Sequence, residues 1–477
     1  MRSDLPFTLP ANWNIIRAEE YCTRVADGTH DSPKRVDFGK KLVTSKHITG
    51  GTLNLTGAYY ITEQDYFAIN KRSKVDKYDI LLSMIGTVGQ VCLINIEPDF
   101  AIKNVGLLKN NDPVKAKWLY YWLTSVFAQQ LIRERVQGTT QQYLSLNEIR
   151  NLPVPFPNNS KEMKHAVKIL YDIDDKISLN TQINSTLESM AQALFKSWFV
   201  DFDPVKAKME ARANGGDNEA VRHAAMSVIS GKSADELIAM KAADPESYDK
   251  LAQTADLFPE KMVESELGMI PEGWEVKCIG DLTKLNAYSW SKKNSPSEIE
   301  YVDLANTKWG TIQSTEFYNF EEAPSRARRK LLSGDTIIGT VRPGNGSYSF
   351  IKRDGLTGST GFAVLTPEEQ IYSEFVYLTT TSLENIKRLS HLADGGAYPA
   401  VSPEIISATK CILPTEKSAQ DKITAAFHSS VDNLFAKIHN NITENEALKM
   451  LRDTILPKLL SGEIDLNEID SLERYAK

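Results

Sequence analysis

The chain encodes one building plan twice, and that duplication limits what it can fold into more than any other feature. Leu9–Tyr21, LPANWNIIRAEEY, is matched by Ile270–Leu282, IPEGWEVKCIGDL, which sets Trp13 beside Trp274. YDILLSMIGTVG is matched by GDTIIGTVRPGNG, which sets Asp79 beside Asp335. GTTQQYLSLNEIRNLPVPFP lies beside GGAYPAVSPEIISATKCILP, so Gly138, Ser145, Ile149 and Pro157 meet Gly395, Ser402, Ile406 and Pro414. The offset between copies drifts within the unit and is restored at its end, as expected of a common scaffold with variable loops.

Within each copy the patterns are mixed. DILLSMI and DTIIGTV are short apolar runs closed by Gly or Pro-Gly and read as strands, as do FAIKNVGLLKN and GSTGFAVLTP. WLYYWLTSVFAQQLIRERV and SEFVYLTTTSLENIKRL read as helices. After each closing proline the period changes. Ile173, Ile177, Asn180, Asn184, Leu187, Ala191, Leu194 and Trp198 follow in steps of four and three, and Leu434, Ile438, Asn441, Asn445, Leu448, Arg452, Ile455 and Leu459 repeat them. That is a coiled-coil seam. Asparagines at equal places in both copies suit register control, because a seam amide must find a partner.

The expected architecture is α+β: two pseudo-symmetric mixed α/β domains separated by two long antiparallel α-helices forming a coiled-coil spacer. The boundaries are 1–157 for the first domain, 158–205 for the first spacer helix, and 206–269 for an alanine-rich helical insertion or linker. The second domain spans 270–414, and 415–477 hold the second spacer helix and a C-terminal tail.

SMAQALFKSWFVDFDPV, at the end of the first long helix, puts Phe195, Trp198, Phe199 and Phe202 on one face. The matching second-copy residues are Leu456, Leu459, Leu460 and Glu463. The aromatic face reads either as interior packing or as a platform for another subunit.

The formal net charge is −7, which argues against purely electrostatic DNA binding, yet residues 1–157 carry 19 Lys and Arg against 15 Asp and Glu. Phosphates respond to charge within a Debye length of about 8–10 Å, so acidity elsewhere does not exclude nucleic acid. Four scattered cysteines give neither a disulfide framework nor a zinc pattern, no run is apolar enough for a membrane span, and a reducing cytoplasm is the expected setting. Gly231-Lys232-Ser233 lacks the upstream glycine of a phosphate loop, and Ser233 with Glu236 reads as a capping box. No HExxH, no [DNS]PP[YFW] run and no convincing S-adenosylmethionine loop is present, so neither metal nor catalytic residues are expected.

The paired LPANW and IPEGW openings, the LPVPFP exit, the MAQALFKSWFVDFDPV centre and the LRDTILPKLLSGEI end together resemble the specificity (S) subunits of type I restriction-modification enzymes, over nearly the whole chain. The resemblance implies two target-recognition domains, each reading half of a split, asymmetric site in double-stranded DNA, with the helices setting the spacing. It implies a non-catalytic chain that docks two methyltransferase (M) subunits and, through them, the restriction and translocase (R) subunits. The chain itself would bind no cofactor; S-adenosylmethionine, ATP and Mg belong to the partners. A protein-only coiled-coil adaptor and a self-contained methyltransferase or nuclease are the competing readings. Two loop-rich domains would be superfluous in the first, and the second lacks its motifs.

Candidate DNA contacts are loop residues able to reach base edges or phosphates. In the first domain these are Thr29, His30, Lys34 and Arg35 in DGTHDSPKR, a loop similar to one in many recognition domains of the family. Lys46 and His47 follow in TSKHITGG, then Thr139, Thr140, Gln141 and Gln142 in GTTQQYLS. In the second they are Arg326, Arg328 and Arg329 in SRARRK, read as phosphate binders, with Arg342 and Asn345 in TVRPGNGSY and Tyr398 in GGAYPAVS. Phe195, Trp198, Phe199 and Phe202 are candidates for the subunit interface, and Asn180, Asn184, Asn441 and Asn445 for spacer register.

Overall fold

The computed structural model describes residues 5–464 apart from 6, 139–141, 292, 394–398 and 462. It divides into two units, Met1–Asn180 with Ile442–Lys477, and Thr181–Asn441.

In the first unit the fully buried run Ile80–Ser83 sits inside a four-stranded antiparallel sheet, in the order Arg24–Asp27, Val105–Lys109, Ile80–Ser83, Val91–Leu93. A smaller sheet orders Tyr60–Ile61, Lys40–Val43 and Phe100–Ile102, the last two strands parallel. FAIKNVGLLKN supplies a strand to each sheet, turning at Asn104 with φ +52°. A ribbon joins Trp13–Arg17 to Pro153–Pro157, with Trp13 opposite Pro157, so the two ends of the repeat meet.

The second unit rebuilds this frame. Its four-stranded sheet orders Thr283–Leu285, Phe362–Pro367, Thr336–Gly339 and Tyr348–Phe350, and a second sheet pairs Glu298–Val302 parallel to Leu356–Ser359. Trp274 lies opposite Pro414 in the closing ribbon.

Both stretches read as single helices are broken in two. The first breaks at Ser125, whose Oγ accepts the Ala128 N–H and caps Val126–Arg135. The second breaks at Ser382, whose Oγ accepts the Asn385 N–H at the start of Leu383–Ala393. A serine offered to the backbone at the same place in each copy ends one helix and starts the next.

The long helices are Ser160–Phe199 and Lys417–Ser461, about 60 and 68 Å at 1.5 Å per residue. In each unit their segments run antiparallel. In the first, Arg452 Nη1 lies 2.8 Å from Asp174 Oδ1 and Asn180 meets Asn445; in the second, Asn184 meets Asn441.

The 206–269 segment is structural rather than a loose linker. Its helices Asp203–Ala213, Asn218–Ser230, Ala234–Ala243 and Pro245–Asp256 contribute Met226, Leu237 and Tyr248 to the second unit's main core, and Phe258, just after the last of them, joins it. Ser233 and Glu236 form the capping box.

The aromatic helix end belongs to that same core, and the platform reading is corrected. Phe195, Trp198, Phe199 and Phe202 are 7%, 0%, 3% and 4% exposed. Phe199 packs edge-on to Phe375 and Phe427 at 4.9 and 5.2 Å, Trp198 to Phe258 at 5.4 Å, and Phe202 to Trp274 at 5.9 Å. Buried rings leave no face for a partner. The insertion explains why the copies differ: it brings Phe258 and its neighbours to one helix end, where large rings fill the space, whereas Leu456, Leu459 and Leu460 suffice in the first unit's core.

Candidate nucleic-acid interface

The loop after Arg24–Asp27 is built, not merely tethered. His30 is exposed, with Nε2 2.9 Å from Asp27 Oδ2 and Nδ1 2.8 Å from Asn104 Oδ1. Arg72 Nη2 reaches Asp27 Oδ1 at 3.0 Å and the Gly28 carbonyl at 2.8 Å. A Cβ on Gly28 would fall 2.4 Å from the Ile102 carbonyl oxygen, so only glycine lets the loop cross that strand. Half-buried Thr29 accepts the Asp31 N–H through Oγ1 at 3.1 Å. Beyond this anchor Lys34 and Arg35 are exposed, as is Phe38 at 89%.

Lys46 is exposed, but His47 serves its own backbone. Its Nδ1 accepts the Thr44 N–H at 2.9 Å, and burial pushes its pKa below the usual histidine value. The half-buried ring caps its own turn, with Nδ1 taken up by the backbone. Gln142 is exposed; Thr139, Thr140, Gln141 and Tyr398 lie outside the described residues.

In the second unit the basic run is not one free cluster. Arg326 is exposed in a turn, and the next four residues form the strand Ala327–Lys330. Arg328 is half-buried, its guanidinium carbon 4.8 Å from the centre of the Phe320 ring. Arg329 is half-buried, with Nη1 3.4 Å from Ser289 Oγ. Strand formation tucks two of the three cations against the domain, so only Arg326 keeps an exposed position suited to phosphate. Arg342 and Asn345 are both exposed at the turn Pro343–Asn345.

The seam asparagines are bonded across the helices. Asn180 Nδ2 donates to Asn445 Oδ1 at 2.9 Å and Asn445 Nδ2 to the Ile177 carbonyl at 3.4 Å. In the other unit Asn441 Nδ2 donates to Asn184 Oδ1 at 2.8 Å and Asn184 Nδ2 to the Ile438 carbonyl at 3.4 Å. One hydrogen-bond pattern thus occurs twice, with residues exchanged as the repeat exchanges them.

Among the described residues, Glu374, His428 and Asp432 are grouped closely enough to hold a metal. Buried Glu374 is already engaged by His428 Nδ1 at 2.6 Å and faces the Lys352 ammonium at 3.6 Å, so the group reads as an ion-pair set. No helix among the described residues is long and apolar enough to cross a membrane.

Sequence reading missed Asn104, which bonds His30, Arg72, which holds Asp27 and Gly28 beside it, and the exposed aromatics Phe38, Trp309 and Phe317. For Trp309 the signal was present: TGGTL and KWGTI occupy the same place in the two copies, with tryptophan where the first has glycine.

Two copies of one mixed α/β frame, each presenting its own loop side chains, define a recognition protein made by duplication. The family model for the type I restriction modification DNA specificity domain matches residues 31–189 and 271–448, and the chain belongs to this family. It is 33% identical over 348 residues to the type I restriction enzyme HindI specificity subunit of Haemophilus influenzae, covering 70% of this chain and 74% of that one. To the MjaIX specificity subunit of Methanocaldococcus jannaschii it is 26% identical over 375 residues, covering 75% and 71%. A crystal structure of the S subunit from M. genitalium aligns over 96% of this chain and 98% of its own, at 16% identity and a TM-score of 0.49.

Proposed function

We propose that the chain is the DNA-reading subunit of a type I restriction-modification complex and that each half reads one part of a two-part, asymmetric site in double-stranded DNA. The observation that carries this reading is a single frame repeated with unlike exposed loops: His30, Lys34 and Arg35 in one copy, Arg326, Arg342 and Asn345 in the other. Like frames suit like approaches to a duplex, and unlike side chains suit different bases. Half-sites met from one face of B-DNA lie about 34–36 Å apart or multiples of that, and paired helices stretch far less than a flexible linker. In this reading the long helices fix the spacing, with the asparagine pairs holding their register.

The chain scaffolds two methyltransferase subunits and through them the restriction subunits, in the cytoplasm. S-adenosylmethionine, ATP and Mg belong to those partners, and this chain performs no bond-making step.

Sequencing the modified bases of host DNA with and without this gene tests the proposal. Loss of a two-part adenine-methylation motif on deletion is expected, and an unchanged methylation pattern overturns it.

A further inference from the structure

The second half departs from the first at two backbone positions where departure costs free energy. The hairpin Ile48–Leu53 turns through Gly50 and Gly51 at φ +57° and +79°. Its counterpart Thr307–Ile312 turns through Trp309 and Gly310 at φ +46° and +83°. A two-residue turn with positive φ at both central positions suits Gly-Gly or Asn-Gly, and a bulky aromatic at the first is a steric outlier.

The loop following the central strand repeats the substitution. Gly86 at φ +78° follows Ile80–Ser83, and Arg342 at φ +47° holds that place after Thr336–Gly339. The preceding residues make matching bridges, Ile85 to Tyr143 and Val341 to Ala400, which fixes the equivalence. Where the first copy uses glycine twice, the second uses Trp and Arg, whose Cβ atoms are crowded in this conformation.

Neither side chain fills a core. Trp309 is 52% exposed, and Arg342 is exposed. They share one tip, because the Trp309 N–H donates to the Gly346 carbonyl at 2.6 Å and the Gly346 N–H to the Pro343 carbonyl at 2.9 Å. The indole lies on Gly346, where a Cβ would come within 2.5 Å of ring atoms, and edge-on to Tyr348 at 6.0 Å. The ring is thus held in one orientation with half its surface free.

We propose that Trp309 and Arg342 form the base-reading tip of the second half, the indole making apolar contact with base edges and the guanidinium donating to a guanine edge. Surface side chains kept in disfavoured backbone conformations are candidates for ligand contact, and an indole and a guanidinium carried on one tip suit nucleobase chemistry. The inference rests on the DNA-reading function proposed above.

The test incubates the full chain, assembled with its methyltransferase subunit, with a library of random-sequence DNA duplexes and sequences the bound pool. Parent, Trp309→Gly and Arg342→Gly are compared, each variant restoring the residue the first copy uses. The parent yields a two-part motif. Each variant keeps one part, loses base preference within the other, and binds the parent's selected duplex at least ~10-fold more weakly. An unchanged motif in either variant overturns the assignment of that residue. If Trp309→Gly does not fold by circular dichroism, Trp309→Asn, also tolerant of positive φ, replaces it; failure of both to fold makes Trp309 structural and overturns its role. A parent that selects no motif removes DNA reading itself, an outcome distinct from either variant's failure.

Discussion

At the scale of single residues the two copies solve one problem with different chemistry. Asp79 and Asp335 close the same turn before the central strand, accepting the Asp76 N–H at 2.7 Å and the Leu332 N–H at 2.8 Å. Lys109 forms an ion pair with Asp79, but among the described residues no cation pairs with buried Asp335, whose Oδ1 has no hydrogen-bond partner there. Burial pushes the Asp335 pKa up to about 6. A carboxyl whose pKa is raised by folding destabilises the native state when ionised, so this penalty is full above pH 6 and fades as pH falls toward about 4. Asp335→Asn keeps an acceptor for the Leu332 N–H and removes the charge. The variant should be more stable than the parent by about 1–3 kcal/mol at pH 7.5, with the gap narrowing at pH 5. Denaturant unfolding at both pH values checks this, and a gap independent of pH contradicts it. The matched aspartates were legible in the sequence; the unequal partners were not, because Lys109 reaches Asp79 from a strand thirty positions downstream.

At the scale of elements the long helices were the most legible part, because a four-three apolar rhythm persists over many turns and needs no tertiary context. The rhythm placed four asparagines on the seam but did not give the pairs: antiparallel packing joins Asn180 to Asn445 and Asn184 to Asn441. Asn180 is 1% exposed and Asn445 9%, so removing the Asn445 side chain takes away a buried partner of Asn180 and leaves its amide only Glu444 Oε2, at 2.8 Å. Asn445→Leu should cost about 1–3 kcal/mol, and Asn180→Leu with Asn445→Leu should recover most of it, since replacing both partners with apolar groups leaves no unmet donor. Thermal unfolding of the three proteins gives the order, and a single variant as stable as the parent would show that the pair does not constrain the seam. The aromatic face of the same helix misled as a partner surface because a helical stripe shows that a face is apolar, not what covers it. Here the covering residues come from an insertion and from Phe375 and Phe427, far along the chain.

At the scale of the whole molecule the first unit is completed by sequence from the far end of the chain, whereas the second is one continuous stretch. Leu456, Leu459 and Leu460, at 7%, 1% and 1% exposed, lie in the first unit's core with Trp118, Leu119, Trp122, Val167 and Leu170. A chain ending after Asn441 loses three buried leucines and the Arg452–Asp174 ion pair. At about 2–5 kcal/mol per leucine truncated even to alanine, that loss rivals the ~5–15 kcal/mol stability of a whole domain. Hydrogen exchange on the truncated chain should show protection lost at Ile80–Ser83 and kept at Thr336–Gly339; equal protection at both strands would mean that the first unit closes without its C-terminal helix.

The sequence by itself determined the duplication, the mixed character of each half and the seam of the long helices, because each is written in local periodicity or in direct likeness between segments. Only the tertiary structure decided which loop cations stay exposed, which asparagines pair, where the aromatic helix end is buried, and that Trp309 and Arg342 share one tip. Those outcomes depend on residues distant in sequence meeting under shape and hydrogen-bond constraints, and no local pattern encodes such a meeting.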